Sequence, residues 1–527
     1  MGPVLIALAI GAIVASALQR PYFDRRSTQA VLQGGEENPG QSSQQPVKAN
    51  KTWSYLDENS KKFAVNSTGL PHVHFDIGES YAGLLSITDD DEDPRKLFFW
   101  FFPSSDPKAS KEIVIWLQGG PGCSSMVGLL QENGPFLWPP GVYEPFPNPY
   151  SWTNLTNVVW VDQPFGIGLS QGNTKVRDDA EAAQQFLGFW NNFVDVFSLY
   201  GYKIYIAGES YGGRWVPYLA GAMLDQTDMV YYNVDGVHLI DAVFGNFDLW
   251  VNVPLIPFVR SYNNILHLND SFIDYISDKA SGYIDYYNSH VDDYPPNGPL
   301  PPLPYNTSFG DDIFAEIMKA VMYINPCFSF YHITQTCPFP WNQLSLIDYA
   351  AGPNSYFSDP AVQSALHVPQ TNYSICGGGK GLLYDNDVPD SSLGPLPGVI
   401  ERTNNVIIAN GGLDMGGMVN GSLLCIQNMT WSGQQGFQTR PSADPNFFVP
   451  YHWGLEEIVD GNVPVPMTHT AGAGLLGKWH EERGLTFVEV FTAGHMLPQT
   501  APGASYRIME RLLGRINRLD ASGEYTI

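Results

Sequence analysis

The chain has 527 residues, of which 44% are hydrophobic and 13% aromatic, so it can bury a large core. Its 27 basic and 53 acidic residues give a formal net charge of -26, which disfavours binding to nucleic acid or to an anionic membrane through a basic face. A strongly acidic surface suits an acidic medium, because self-repulsion falls as carboxylates become protonated.

The N-terminus predicts a secretory signal peptide over residues 1–17. An apolar run at 4–14 is followed by Ala15-Ser16-Ala17, which resembles a cleavage site, although no Lys or Arg precedes the run. A membrane anchor is disfavoured because the run is shorter than the ~20 residues that span a bilayer, and no later segment is long enough. We expect a secreted protein, or alternatively one of a vacuole or lysosome-like compartment, without membrane contact after cleavage.

Residues 18–75 predict a poorly ordered leader. The stretch 34–47 is rich in Gly, Gln, Ser, Glu and Pro and offers almost nothing to bury. The pair Arg25-Arg26 is compatible with a processing site, which would make the segment a propeptide, and equally with a solvated tail that is never cut. The ordered domain is expected to span residues 76–527.

Glycosylation signals and cysteines agree with the secretory route. Five cysteines, an odd number, predict two disulfides and one spare thiol in an oxidising compartment, and Cys327 and Cys337 are close enough for a local disulfide. Eight N-x-S/T sequons lie at Asn50, Asn66, Asn154, Asn269, Asn306, Asn372, Asn420 and Asn428.

Apolar runs of strand length alternate with helical patterns along most of the chain. The amphipathic helix predicted at 178–200 lies between two such runs, and a second helix is predicted at 504–517. Alternation of this kind is typical of a mostly parallel sheet with helices on both faces, so we predict an α/β fold. The predicted strands are 80–87, 96–102, 112–117, 157–161, 203–207, 237–244, 405–410 and 485–491.

The alternation breaks between about residues 250 and 357. This stretch contains Tyr-rich helical pieces and a proline-rich segment at 294–304. We interpret it as an inserted, largely helical subdomain that lies over the active-site face of the sheet.

The stretch 208–212 reads G-E-S-Y-G and lies between a predicted strand and a helical segment. A G-x-S-x-G sequence in this position is the nucleophile elbow of α/β-hydrolases. The tight turn needs glycines, because side chains there would collide with the neighbouring strand or helix. It exposes the Ser210 hydroxyl and places the next backbone N–H, that of Tyr211, at a helix N-terminus where it can stabilise an oxyanion.

Asp414 and His495 each follow the carboxyl end of another predicted buried strand. Parallel strands place such residues along one edge of the sheet, where they can meet Ser210, and the order Ser, Asp, His is that of α/β-hydrolases. A serine hydroxyl is a weak nucleophile until a base takes its proton. We expect His495 to be that base and Asp414 to fix its tautomer and stabilise its cation.

The chain resembles the secreted or vacuolar serine carboxypeptidases from about residue 81 to the C-terminus. The elbow with its glutamate and the G-G-P-G-C-S-S loop at 119–125 are specific to that family. The stretches that carry the resemblance are 116–125, 162–168, 208–213, 362–368 and 494–498.

The resemblance implies further site residues. Gly120 and Tyr211 would supply the backbone oxyanion donors, and Cys123 would pair with Cys376, which leaves Cys425 as the spare thiol. The family usually has Asn where this chain has Gln118, which changes the depth of the pocket, and it often has an acidic residue at the position of Gly412. The residues around the free α-carboxylate of the substrate would be Trp116, Gln118, Glu132 and Glu209.

The favoured function is a serine carboxypeptidase that releases single C-terminal residues from peptides through an acyl-enzyme. Crowded, partly buried glutamates have a raised pKa and can donate a hydrogen bond to a carboxylate while neutral. We therefore expect activity to be highest in acid and to weaken as Glu132 and Glu209 ionise. We expect a monomer or homodimer without cofactor or metal.

Two other functions stay open at the level of the sequence. An esterase or acyltransferase of the same family would keep the triad and would not need a free carboxylate. A non-catalytic secreted binding protein would have lost a triad residue, and none is lost. A metalloprotease is disfavoured because the chain has no H-E-x-x-H, and His72-Val73-His74 reads as surface or strand alternation.

Overall fold

The computed structural model describes residues 53–90, 92–109, 111–173, 175–304, 313–338, 344, 355–377, 381–441, 445–450 and 471–520. The described residues belong to one compact unit that begins at Trp53. The predicted signal peptide, most of the predicted leader with Arg25-Arg26, and the sequons at Asn50 and Asn306 lie outside the described residues.

A central sheet of ten strands dominates the described part of the chain. Its six middle strands are mutually parallel, and two antiparallel strands flank them at each edge. In spatial order the strands are β1 (Tyr81–Ser86), β2 (Lys96–Phe102), β6 (Asn157–Asp162), β3 (Glu112–Leu117), β7 (Lys203–Glu209), β8 (Val234–Ile240), β9 (Val406–Gly411), β14 (Leu485–Val490), β13 (Gly474–Glu482) and β12 (Asn446–Val449). Two small ribbons pair β4 (Phe136–Leu137) with β5 (Phe146–Pro147) and β10 (Thr430–Trp431) with β11 (Gln434–Gln435).

The apolar runs of the sequence form the middle of the sheet because both faces are covered. Every residue of β3, β6 and β9 is buried, as expected for parallel strands between two helical layers. The predicted α/β-hydrolase fold with a mostly parallel sheet is confirmed.

Thirteen α-helices surround the sheet within the described ranges. The predicted helix at 178–200 is α2, which begins where the Asp178 side chain accepts the Glu181 N–H and ends at Ser198, whose φ is 53°. The helices are α1 (Met126–Gly128), α2 (Asp179–Phe197), α3 (Gly212–Leu224), α4 (Val253–Ser261), α5 (Asn263–Leu266), α6 (Asp270–Lys279), α7 (Ser281–His290), α8 (Ile313–Ile324), α9 (Pro360–Ala365), α10 (Leu396–Thr403), α11 (Val419–Gln427), α12 (Leu497–Thr500) and α13 (Pro502–Leu512).

Helices α4 to α8 form the predicted insertion. They interrupt the strand order between β8 and β9, and residues of α4 and α8 line the cavity above the sheet. No helix among the described residues is long and apolar enough to cross a bilayer.

Residues 53–75 differ from the poorly ordered leader that we predicted up to residue 75. Phe63 is 5% exposed and packs edge-on against Phe99, with ring centroids 5.2 Å apart. The Glu79 carboxylate accepts the backbone N–H groups of Ser54 and Tyr55 at 2.7 and 2.8 Å. The segment is ordered because its few apolar side chains pack into the core around β1 and β2.

Candidate active site

The elbow between β7 and α3 places Ser210 at the carboxyl edge of the sheet. Ser210 has a φ of 60°, and its carbonyl accepts the N–H groups of Gly213 and Val243 at 3.0 and 2.9 Å. A Cβ at Gly208 would lie 2.7 Å from Val216 Cγ2, so a side chain there would push β7 and α3 apart. The turn therefore depends on glycine, as the sequence predicts.

Asp414 and His495 meet at the same edge. Asp414 follows β9 and His495 follows β14, and the two strands are parallel neighbours. His495 Nδ1 lies 2.6 Å from Asp414 Oδ2, and both side chains are buried. The second oxygen, Asp414 Oδ1, accepts the Gly416 N–H at 2.7 Å, which fixes the rotation of the carboxylate.

Ser210 and His495 line one cavity of about 810 Å³, together with Gly120 and Tyr211. The inserted helices supply much of its wall, and the apolar lining includes Trp250, Leu255, Ile256, Tyr283, Phe314 and Phe330. Such a cavity can hold a peptide side chain next to a nucleophile.

The glycine loop after β3 packs directly on the elbow. A Cβ at Gly119 would lie 2.6 Å from the Tyr211 backbone nitrogen and 2.7 Å from Ser210 Cβ, so only glycine permits this approach. Gly120 follows with a φ of 113°, also in the region that favours glycine. The loop thus brings its backbone into close contact with the backbone of the elbow.

Two disulfides are present, Cys123–Cys376 and Cys327–Cys337. The first ties the glycine loop to a distant segment, and the Gly377 N–H adds a hydrogen bond to the Gly122 carbonyl at 3.0 Å. Cys425 is a free cysteine, and burial raises the pKa of its thiol.

Trp116, Gln118, Glu132 and Glu209 converge below the elbow. Trp116 Nε1 donates to Gln118 Oε1 at 3.1 Å, and Gln118 Nε2 donates to Glu209 Oε1 at 2.8 Å. Both glutamates are 1% exposed, and among the described residues neither oxygen of Glu132 nor Glu209 Oε2 has a hydrogen-bond partner. The amide of Gln118 therefore links Trp116 to Glu209.

Burial and proximity shift the pKa of both glutamates upward. Burial raises the pKa of Glu132 to about 7. Burial first, and then the negative charge of Glu132, raise the pKa of Glu209 well above its usual value. Two facing carboxylates repel each other, so the pair retains a proton in acid.

The structure adds residues that our sequence reasoning missed. Asp241, directly after β8, has no exposed surface, and burial, followed by the negative charge of Asp414, raises its pKa. On the other side of the elbow, Arg214 Nε donates to Asp179 Oδ2 at 2.5 Å, and the Tyr211 hydroxyl donates to Asp179 Oδ1 at 3.2 Å. The strand predicted at 237–244 runs through Asp241, whereas β8 ends at Ile240, so the place of Asp241 directly after a buried strand was not visible from the sequence.

The described sequons fall into two groups. Asn66, Asn154, Asn269 and Asn372 are exposed. Asn420 and Asn428 are half-buried, and Asn420 Nδ2, the atom that would carry a glycan, donates to the Tyr287 hydroxyl at 2.7 Å. Among the residues placed by the structure, no three His, Cys, Asp or Glu side chains are grouped as metal ligands.

The sheet topology and the residues along its carboxyl edge define an α/β-hydrolase. The family model described as serine carboxypeptidase matches residues 71–515. The chain belongs to the serine carboxypeptidase family and is a serine-type carboxypeptidase, so the predicted family and enzyme class are confirmed.

Known relatives cover most of the chain. It is 46% identical over 476 residues to a "Carboxypeptidase Y homolog" of Arthroderma benhamiae, covering 89% of this chain and 90% of the relative. It is 41% identical over 483 residues to "Serine-type carboxypeptidase F" of Aspergillus niger, covering 89% of each. The crystal structure of the Saccharomyces cerevisiae prohormone-processing carboxypeptidase Kex1Δp has the same fold, with a TM-score of 0.66 at 22% identity over 86% of this chain and 96% of that one.

Proposed function

We propose that Ser210, Asp414 and His495 are the catalytic triad with which this carboxypeptidase releases single C-terminal residues. His495 would take the proton of Ser210 Oγ as the oxygen attacks the scissile carbonyl, and it would later protonate the leaving amine. Asp414 would hold the Nδ1–H tautomer and stabilise the imidazolium. The observation that carries the proposal is the 2.6 Å contact between His495 Nδ1 and Asp414 Oδ2 beside a cavity that Ser210 also lines.

Gly120 and Tyr211 would donate their backbone N–H groups to the oxyanion. The close approach of Gly119, the neighbour of Gly120, to the Tyr211 nitrogen and to Ser210 Cβ supports this assignment. Donors fixed in this way stabilise the charge that develops in the transition state.

The substrate's free α-carboxylate would bind among Trp116, Gln118, Glu132 and Glu209. A proton held between the two glutamates can be donated to the incoming carboxylate, which explains how acidic side chains can bind an anion. The raised pKa of both groups supports binding in acid and weaker binding towards neutral pH. A substrate without the free carboxylate would gain nothing from this subsite.

The remaining assignments concern the secretory route. We propose cleavage of a signal peptide near residue 17, export or delivery to a vacuole-like compartment, and a monomeric or homodimeric mature enzyme with no nucleic acid partner. The exposed asparagines Asn66, Asn154, Asn269 and Asn372 are better glycan acceptors than Asn420 and Asn428, which are half-buried. Mass spectrometry of the secreted protein before and after endoglycosidase treatment tests these sites.

One peptide in two forms tests the catalytic proposal. The free-acid form should lose one C-terminal residue at a time, faster at acidic than at neutral pH, and the C-terminal amide should be cleaved poorly; mass spectrometry follows both. Ser210→Ala should abolish cleavage and labelling by an organophosphate. Equal cleavage of acid and amide would favour the esterase or acyltransferase alternative, and failure of Ser210 to be labelled would favour a binding protein.

A further inference from the structure

Asp241 directly follows β8, next to the loop after β9 that carries Asp414 of the proposed triad. Its side chain has no exposed surface, and its Oδ1 accepts the Gly411 N–H at 2.8 Å and, at 3.5 Å, Asn410 Nδ2. The other oxygen, Oδ2, is buried and has no hydrogen-bond partner among the described residues, and the Asp414 carboxyl is close enough to act on the charge of Asp241. A carboxylate oxygen buried in this way would face another acceptor, which is unfavourable unless one of the two groups carries a proton.

The backbone at Asp241 is held in a conformation that few residues adopt. Its φ is 43°, in the left-handed region, and its N–H donates to the Ala409 carbonyl at 2.8 Å. Asp and Asn tolerate this region better than other residues with a side chain, and such strain concentrates at functional sites. The turn directs the carboxyl group from the end of β8 towards the loop after β9.

We propose that Asp241 is a positioning residue whose protonated carboxyl donates a hydrogen bond from Oδ2 to the Asp414 carboxylate. The hydrogen bond, together with the Gly416 N–H, leaves Asp414 Oδ2 aimed at His495 Nδ1. It also withdraws charge from Asp414, so the imidazolium is less stabilised and His495 stays a neutral base at a lower pH. Asp241 would thereby adapt the proposed triad to an acidic medium.

The surrounding charges agree with a protonated Asp241. Burial first, and then the negative charge of Asp414, raise the pKa of Asp241 well above its usual value. Glu209 contributes a further nearby carboxyl from the end of β7. The titratable groups that face Asp241 are thus Asp414 and Glu209; those that face Asp414 in turn are His495, Tyr331 and His332.

The inference rests on the proposed triad. One experiment distinguishes a failure of the role of Asp241 from a failure of the triad. The second-order rate of inactivation by diisopropyl fluorophosphate is measured from acidic to neutral pH; the reaction joins Ser210 Oγ to phosphorus, releases fluoride and passes the hydroxyl proton to His495. This reagent has no free carboxylate, so Glu132 and Glu209 do not bind it. The midpoint of the rise in rate with pH reports the protonation of His495.

Two substitutions at Asp241 give opposite expectations. Asp241→Gly removes the donor but keeps the backbone conformation, and its midpoint should rise by about half a pH unit or more, which slows inactivation about threefold in acid. Asp241→Asn keeps both a donor towards Asp414 and an acceptor for the Gly411 N–H, so its midpoint should stay at the wild-type value. Asp225→Asn, which changes an exposed carboxylate paired with Arg402, serves as the control.

A wild-type midpoint in Asp241→Gly would overturn the inference and leave the triad intact. If Asp241→Gly does not fold, the test rests on Asp241→Asn alone. A midpoint of the pH dependence of inactivation below that of the wild type would mean that the native Asp241 is charged, and this result would also overturn the inference. Absence of labelling in the wild-type enzyme at every pH would overturn both the triad and this role for Asp241.

Discussion

Glu132 and Glu209 are both buried and interact electrostatically, so the pair is stable only while it holds a proton. This requirement determines the effect that we expect of Glu209→Gln. Gln keeps an acceptor for Gln118 Nε2 and adds permanent N–H donors, so carboxylate binding no longer depends on a shared proton. In the wild type, KM for a free-acid peptide should increase between acidic and neutral pH. In Glu209→Gln we expect this increase to be smaller by a factor of about three or more. Steady-state kinetics at several pH values measure the change.

Glu112→Gln is the matched control for Glu209→Gln. Glu112 is also a buried glutamate with a pKa raised by burial, but it begins β3 at the opposite edge of the sheet and pairs with Arg515. Its substitution should leave the pH dependence of KM unchanged. A Glu209→Gln enzyme with the wild-type pH dependence of KM would contradict our account of the carboxylate subsite.

Individual residues also show which parts of the site could be predicted from the sequence and which could not. Ser210, Asp414 and His495 were expected from their places after buried strands, and the structure puts all three at one edge. Asp241 occupies the same kind of place after β8, yet no residue pattern distinguishes it from an ordinary strand end. Its partner lies 173 positions away along the chain, so only the pairing of β8 with β9 brings the two carboxyls together.

The glycine loop after β3 is joined to a second segment by the disulfide Cys123–Cys376. Removing this disulfide in the double variant Cys123→Ser/Cys376→Ser should loosen Gly120 relative to Tyr211. We expect kcat to fall by at least about tenfold, because oxyanion donors act only when they are held in place. The ratio of kcat in the variant to kcat in the wild type at one acidic pH is the measurement.

Cys327→Ser/Cys337→Ser provides the comparison for that loop. This pair closes a local loop in the insertion, 10 residues apart, whereas Cys123 and Cys376 are separated by 253 positions. We expect kcat to fall less in the insertion variant. An equal fall in both double variants would argue that disulfide loss lowers stability generally and does not act through the oxyanion donors.

The segment at 53–75 should contribute to stability through Phe63. The ring contacts Phe99 and Phe197 and covers Gly83, where a Cβ would lie 2.6 Å from Phe63 Cδ1. Phe63→Ala should lower the free energy of unfolding by about 3 kcal/mol. Urea unfolding measures it, and Leu56→Ala, at a residue 50% exposed, should change it little. A wild-type midpoint for Phe63→Ala would mean that the segment packs loosely in solution.

The elements that the sequence predicted best have one clear pattern of apolar residues, either a continuous run or a helical period. Strands β3, β7 and β9 are uninterrupted apolar runs, and α2 carries an aromatic stripe, so their positions were predicted within a few residues. The antiparallel strand β13, which lies between β14 and the edge strand β12, was missed because it contains two glycines and carries Lys478, His480 and Glu481 among its apolar residues. Residues 53–75 were misjudged because their apolar side chains are sparse and find their partners only on the folded sheet.

Over the whole molecule, buried ionisable groups make stability depend on pH in two opposite ways. Burial raises the pKa of Glu132 to about 7 and that of Asp162 to about 6, so the folded state holds protons that the unfolded chain releases near pH 4. Their contribution is therefore full at low pH and is lost as pH rises towards those values, by about 1.4 kcal/mol per proton and pH unit. These groups favour folding in acid.

His238 acts in the opposite direction. It has no exposed surface, its Nδ1 lies 3.2 Å from the Ile407 carbonyl, and burial lowers its pKa to about 4. Because the unfolded chain takes up a proton near pH 6.5, stability is lost as pH falls from that value towards 4. His238→Asn keeps a donor for the carbonyl and removes the titration. Relative to wild type, its free energy of unfolding should improve by about 3 kcal/mol between pH 6.5 and pH 4.

Urea unfolding of the wild type and of His238→Asn at several pH values tests this balance. Above pH 6.5, the starting pKa of the imidazole, the difference between the two proteins should be constant and reflect packing alone. Below it, the difference should shift steadily in favour of the variant, while both proteins keep the acid-favouring trend of the carboxyls. A difference that does not change with pH would mean that His238 takes up its proton in the folded state as easily as in the unfolded one, and that the interior around its ring admits a charge.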